Sequence, residues 1–324
     1  MASRREVLRA LALAAIAPSP SWAQRMRRIG FLGAGSAAGF ANHIAGLRAG
    51  LREQGYEERK NLTIEFRWAE GRIERLPGLA RELLRSPVEL LVTQGTPATR
   101  AAMEATSSVP IVMAAVGDAV VTGLVQNLAR PGRNLTGTTF FAVELASKRL
   151  ELLKQAFGQV TRVGMMHNPD NPIQREPLLA ALRRTASTLK IHLEVAVART
   201  PDDFSGAFAR LAAARVEGVL FIEDPIQVGN AGALMKLVVQ NRLASASGLE
   251  FVPAGTMLAY GVNFREVYGR AAVYVARILN GANPAELPVE QATRFELVVN
   301  PAAAKALGFS IAPAVLQRAD RVVE

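Results

Sequence analysis

Residues 88–103 compress a strand, a sharp turn and a helix into one short stretch, and that unit limits the fold more than any other part of the chain. Leu90, Leu91 and Val92 form an apolar run. Gly95 permits a tight turn, Thr96 can cap the next helix, and Pro97 suits its first position, where no backbone N–H is needed. A helix starting there directs free N–H groups past the strand end, the place where open α/β sheets bind ligands and where anionic groups are favoured.

The unit recurs along the chain. Arg28–Leu32 reads as a first strand, followed by a glycine-rich turn and a helix from about Phe40 to Gln54 that Gly55 ends. Leu62–Trp68 alternates as a second strand, Ile73–Arg85 is an amphipathic helix, and Val109–Val116 is a fourth strand with a helix expected to about Ala129. Strands alternating with helices imply a parallel, doubly wound sheet. After Pro131–Gly137 the rhythm restarts: Arg162–His167 repeats the character of Arg28–Leu32, and Phe208–Pro225 echoes Leu79–Gly95. The expected fold is therefore α/β, with two Rossmann-like doubly wound lobes joined by a three-crossing hinge. Residues 24–138 and 264–293 would form lobe 1, and 139–263 and 294–324 lobe 2, with Leu135–Phe141 crossing between them.

Composition narrows the function. The 324 residues are half hydrophobic, enough for two cores, and contain no cysteine, so disulfides, thiolate metal sites and thiol catalysis are excluded. His43, His167 and His192 lack metal-ligand spacing, and no metal or cofactor is expected. The net charge is +10, but the arginines are scattered rather than set in a stripe with aromatics, so nucleic acid is not an expected partner.

The first 23 residues read as a signal peptide. A head with Arg4 and Arg5 precedes a short apolar run over 11–17 and a small-x-small cleavage site at Ser21-Trp22-Ala23. The run is too short to span a bilayer. The arginine pair resembles a twin-arginine export signal, with the general secretory route as the alternative. The mature chain would begin near Gln24 and work outside the cytoplasm.

Together these stretches resemble the substrate-binding proteins of ABC importers, in the family that includes tryptophan/tyrosine-type binding proteins. The matching residues are Asn61–Gly71, Gly95–Pro97, Leu128–Gly132, Asn134–Gly137, Lys148–Leu153, Leu287–Gln291 and Lys305–Gly308, and they span nearly the whole mature chain. The resemblance implies a periplasmic-binding-protein fold of the first type, closing over a small molecule. It implies delivery to a separate permease and ATPase, with the membrane reached only through the permease and the protein acting as a periplasmic monomer. An amino acid, aromatic by preference, or a related small carboxylate is the implied ligand. The chain departs from the family at Ala119, where proline is common, and around Gly248–Val252.

Strand ends supply the candidate contacts. Thr96 and Ser36 could hold a carboxylate; Gly117 and Asp118 stand at a strand end suited to an ammonium group. Asn168 and Asp224 occupy equivalent places in the second half, each before a proline, and Tyr260 could stack on a ligand. For the polar ones, capping of the adjacent turn or helix is the competing reading. A nucleotide-cofactor enzyme would start from Gly33-x-Gly35-x-x-Ala38, but no acidic residue ends the second strand, and no catalytic triad or paired carboxylates appear, so no catalytic residue and no enzyme is expected. A ligand-sensing receptor domain of the same fold is the other alternative.

Overall fold

A computed structural model describes residues 26–323; the segment expected to be a signal peptide lies outside them. The first sheet is built from β1 (Arg27–Gly33), β2 (Leu62–Trp68), β3 (Leu90–Gln94), β4 (Ile111–Gly117) and β5 (Leu135–Phe140). The second holds β6 (Arg162–His167), β7 (His192–Val197), β8 (Gly218–Leu220), β9 (Ala244–Ser247) and β10 (Leu258–Gly261). β11 (Glu290–Gln291) then completes the first sheet, while β12 (Glu296–Val299) and β13 (Arg321–Val322) extend the second.

The strand orders are β11-β5-β4-β3-β1-β2 and β13-β12-β10-β9-β8-β6-β7. Every pair is parallel except β10 with β12. Both halves thus wind as 2-1-3-4-5, and the repeat seen in the sequence is a repeat of topology. Its glycines have a shared cause. Gly30 lies beneath Leu83 and Leu91, and Gly164 beneath Leu211, so a helix leucine packs onto the middle of the first strand in each half where a Cβ would intrude.

The chain passes between sheets three times: after β5, between β10 and the helix Phe264–Leu279, and between β11 and β12. Leu135–Phe140 is wholly a strand of the first sheet, so the first passage begins at Phe141 rather than at Leu135. The helix expected to Ala129 is absent: residues 118–128 form turns, with Gly123 at φ +69° and the Thr122 hydroxyl donating to the Asp118 carbonyl at 2.8 Å. A side chain that bonds the local backbone and a left-handed glycine both favour turns over a helix.

The Phe264–Leu279 helix returns to the first sheet because the Ala41–Glu53 helix offers it a glycine face. Gly46 lies against the Arg265 carbonyl, and a Cβ at Gly50 would stand 2.5 Å from the Gly269 carbonyl oxygen. Backbone, unlike a flexible side chain, cannot give way. Gly46→Ala is therefore expected to destabilise the protein by about 1 to 3 kcal/mol, as overpacked cores do, measured by urea unfolding; an unchanged midpoint would contradict this helix contact.

Candidate ligand-binding site

The carboxyl ends of β3, β4 and β5 face the segment after β8 across a pocket of about 430 Å3, lined by Gln94, Gly95, Thr96, Gly117 and Phe140 on one side and Glu223, Asp224 and Pro225 on the other. Little of that space would admit a water molecule, so the walls stand close together. Phe40, from the first half, belongs to the same apolar cluster as Phe204, Ile226 and Val228 of the second, and a Cβ at Gly39 would lie 2.7 Å from Gly229 Cα. The two halves touch across this cleft.

Thr96 sits at the opening of the helix Gly95–Ala105 and does not cap it: the helix begins two residues early, at Gly95 with φ +75°, and no side chain caps its N-terminus. The Thr96 hydroxyl is buried and has no hydrogen-bond partner among the described residues. The first turn of a helix also leaves its N–H groups without intrahelical partners. A buried hydroxyl and free N–H groups therefore open on one wall of the pocket.

The opposite wall is acidic. Asp224 is fully buried, and burial pushes its carboxyl above the ordinary aspartate range. Its Oδ1 accepts from the Ile226 and Gln227 N–H groups, and its Oδ2 from the amides of Asn171 and Gln174 at 2.9 Å and Asn168 at 3.4 Å. Those bonds use its acceptor capacity, so Asp224 caps its helix and organises a ring of amides. Glu223 is different. Both its oxygens receive Arg149, through Nη1 at 2.8 Å and through Nη2, while Arg149 Nε donates to the Tyr260 carbonyl at 2.6 Å. A carboxylate accepts up to about four hydrogen bonds, so Glu223 keeps lone pairs for a ligand.

The remaining wall is aromatic. His43 lies 4.9 Å from the Phe40 ring, 5.8 Å from Phe264 and 5.2 Å from Tyr268, and Phe264 meets Phe140 at 5.0 Å. His43 is 6% exposed, and burial pushes its pKa down to about 4, so the imidazole is neutral at pH 7.

Of the residues expected from the sequence, Thr96, Gly117 and Asp224 line this pocket. Four do not. Ser36 accepts from the Gly39 N–H, Asp118 accepts from the Val121 N–H with φ +48°, Asn168 accepts from the Asp170 N–H, and Tyr260 lies beside Phe295 in a groove by the passages between sheets. Burial raises the Asp118 carboxyl. The sequence reading missed Phe40, His43, Phe140, Glu223, Phe264 and Tyr268. One signal was available: Phe40, His43, Ile44, Leu47 and Leu51 share one helical stripe, and a histidine in an apolar stripe marks a polar group placed inside. Among the described residues no three His, Asp or Glu side chains are placed to hold a metal ion.

A sequence model for "ABC transporter substrate binding protein" matches residues 35–323. The chain belongs to that family. The tyrosine-binding protein of Clostridioides difficile (strain R20291) is 24% identical over 259 residues, covering 79% of this chain and 74% of that one. Among solved structures, a conserved domain protein from Vibrio cholerae O1 biovar El Tor is 28% identical with a TM-score of 0.85, over 92% of this chain and all of that one. The ABC domain from Streptococcus pneumoniae in complex with L-Trp is 22% identical with a TM-score of 0.82, over 92% and 99%. The two-lobe α/β fold of this ABC substrate-binding protein is thus the fold of its structural neighbours. No helix among its described residues is long and apolar enough to cross a membrane.

Proposed function

We propose that this substrate-binding protein captures an α-amino acid with an aromatic side chain outside the cytoplasm and delivers it to an ABC permease. The observation that carries this reading is the pairing of opposite chemistries across one pocket. Thr96 and the free N–H groups of its helix suit a carboxylate; Glu223, backed by Asp224, suits an ammonium group; Phe40, Phe140, Phe264 and Tyr268 suit an aromatic ring. A ligand that bridges both halves makes its full contacts only when they are closed, and that difference is what shifts the equilibrium towards closure. The names of the tyrosine-binding relative and of the L-Trp complex support the same ligand class. The arginine pair and small-x-small site of the N-terminal segment support export.

The test is calorimetric titration of the protein with the common L-amino acids. At least one aromatic amino acid is expected to bind, and Thr96→Val to weaken it about tenfold or more, since a hydrogen bond to a charged group contributes about 1.5 to 3 kcal/mol. If no amino acid binds, the reading fails; if Thr96→Val binds unchanged, the carboxylate lies elsewhere.

A further inference from the structure

Resting on the aromatic amino-acid reading, a second question is what stands at the ring end of the pocket. A wall built only to hold a benzene ring needs no heteroatom, yet His43 is set among Phe40, Phe264 and Tyr268 and is more than nine-tenths buried. Its Nδ1 has no hydrogen-bond partner among the described residues. Leaving a buried polar atom unpaired is costly, whereas leucine or phenylalanine there would carry no such cost. A neutral imidazole offers one donor and one acceptor.

His43 borders more than one cavity. A second cavity shares His43, Val228 and Phe264 with the ligand pocket and is lined also by Glu250. Glu250 Oε2 is likewise buried and unpartnered among the described residues. Its carboxyl is pushed up to about 8 by burial and by Glu223, so it is mostly uncharged at neutral pH. A second buried polar atom without a partner thus lines the cavity that adjoins His43.

We propose that His43 reads the polar atom of the ligand's ring, so that the site selects aromatic side chains bearing a ring N–H or hydroxyl and rejects the bare benzene ring. A site that hydrogen-bonds a substrate group discriminates against the analogue lacking it far more strongly than an apolar pocket discriminates by size.

The experiment is titration of wild-type protein with L-tryptophan, L-tyrosine, L-phenylalanine and 1-methyl-L-tryptophan, followed by the same panel on His43→Phe and His43→Gln. In the wild type, phenylalanine is expected to bind at least about tenfold more weakly than the tighter of tryptophan and tyrosine. If tryptophan is the tighter, methylating its ring nitrogen removes most of that advantage. His43→Phe narrows the gap between the polar ring and phenylalanine to within about threefold, and His43→Gln, which keeps a polar group, retains part of it. Phenylalanine binding as tightly as both polar-ring ligands in the wild type overturns the proposal without touching the amino-acid reading, and so does an unchanged preference in His43→Phe. The wild-type panel decides even if that variant does not fold. Binding by none of the four overturns the amino-acid reading and this inference with it.

Discussion

Arg149→Met is expected to lower the unfolding free energy by about 3 to 5 kcal/mol, the loss typical when one partner of a buried ion pair is removed. Arg149 is 1% exposed and is the cation that serves both oxygens of Glu223. It also holds the Tyr260 carbonyl at the end of β10, so its loss leaves one carboxylate without a cation and one backbone acceptor unpaired. Glu250 lies close enough to feel Glu223, which makes a second negative charge there unwelcome. Urea unfolding checks this, and Arg149→Met combined with Glu223→Gln should recover part of the loss because that unpaired carboxylate is gone. A loss under about 1 kcal/mol, the scale of an exposed pair, would mean that Glu223 is solvated.

Gly39→Val is expected to weaken ligand binding by about tenfold to a hundredfold and to lower the ligand-free melting temperature only as far as losing the shut resting form does, by about a few degrees. The added Cβ would stand 2.7 Å from Gly229 Cα and 3.1 Å from its carbonyl oxygen, backbone that belongs to the other half of the molecule. Gly39 is not among the glycines with positive φ, so a side chain strains nothing locally. The cost falls on closure alone, and overpacking of about 1 to 3 kcal/mol corresponds to that change in affinity. Titration with the tightest-binding aromatic amino acid reads it, and small-angle scattering with that ligand present should show a more extended molecule than wild type. Unchanged affinity would show that binding does not require the halves to approach this closely.

The fold was readable because its signals are local. Gly95 followed by Pro97 announces the turn at the end of β3, and the matched starts of β1 and β6 carry the duplication. The site was readable only in part, since Thr96 and Asp224 follow strands within a few residues, whereas the aromatic wall is assembled from positions far apart: Phe40 and His43 from one helix, Phe140 from β5, Phe264 and Tyr268 from the helix that returns after two passages. No window of sequence contains that wall. Asp118 stands outside the lining of this pocket. A strand-end acid looks like a ligand contact, but its left-handed backbone turns the carboxylate onto the Val121 N–H. Glu223, one residue before the expected Asp224, faces the pocket with capacity to spare because Arg149, distant in sequence, steadies it.

Phe40 has a consequence for the resting molecule. Parting the halves withdraws this ring from its niche beside Phe204, Ile226 and Val228 and hands an apolar face to water. Burying a phenylalanine side chain contributes about 1.5 to 3 kcal/mol, which would hold roughly nine molecules in ten or more shut before any solute arrives. Entry then waits on a rare gaping form, and solute capture is throttled by how often the jaws part rather than by how fast solute diffuses to them.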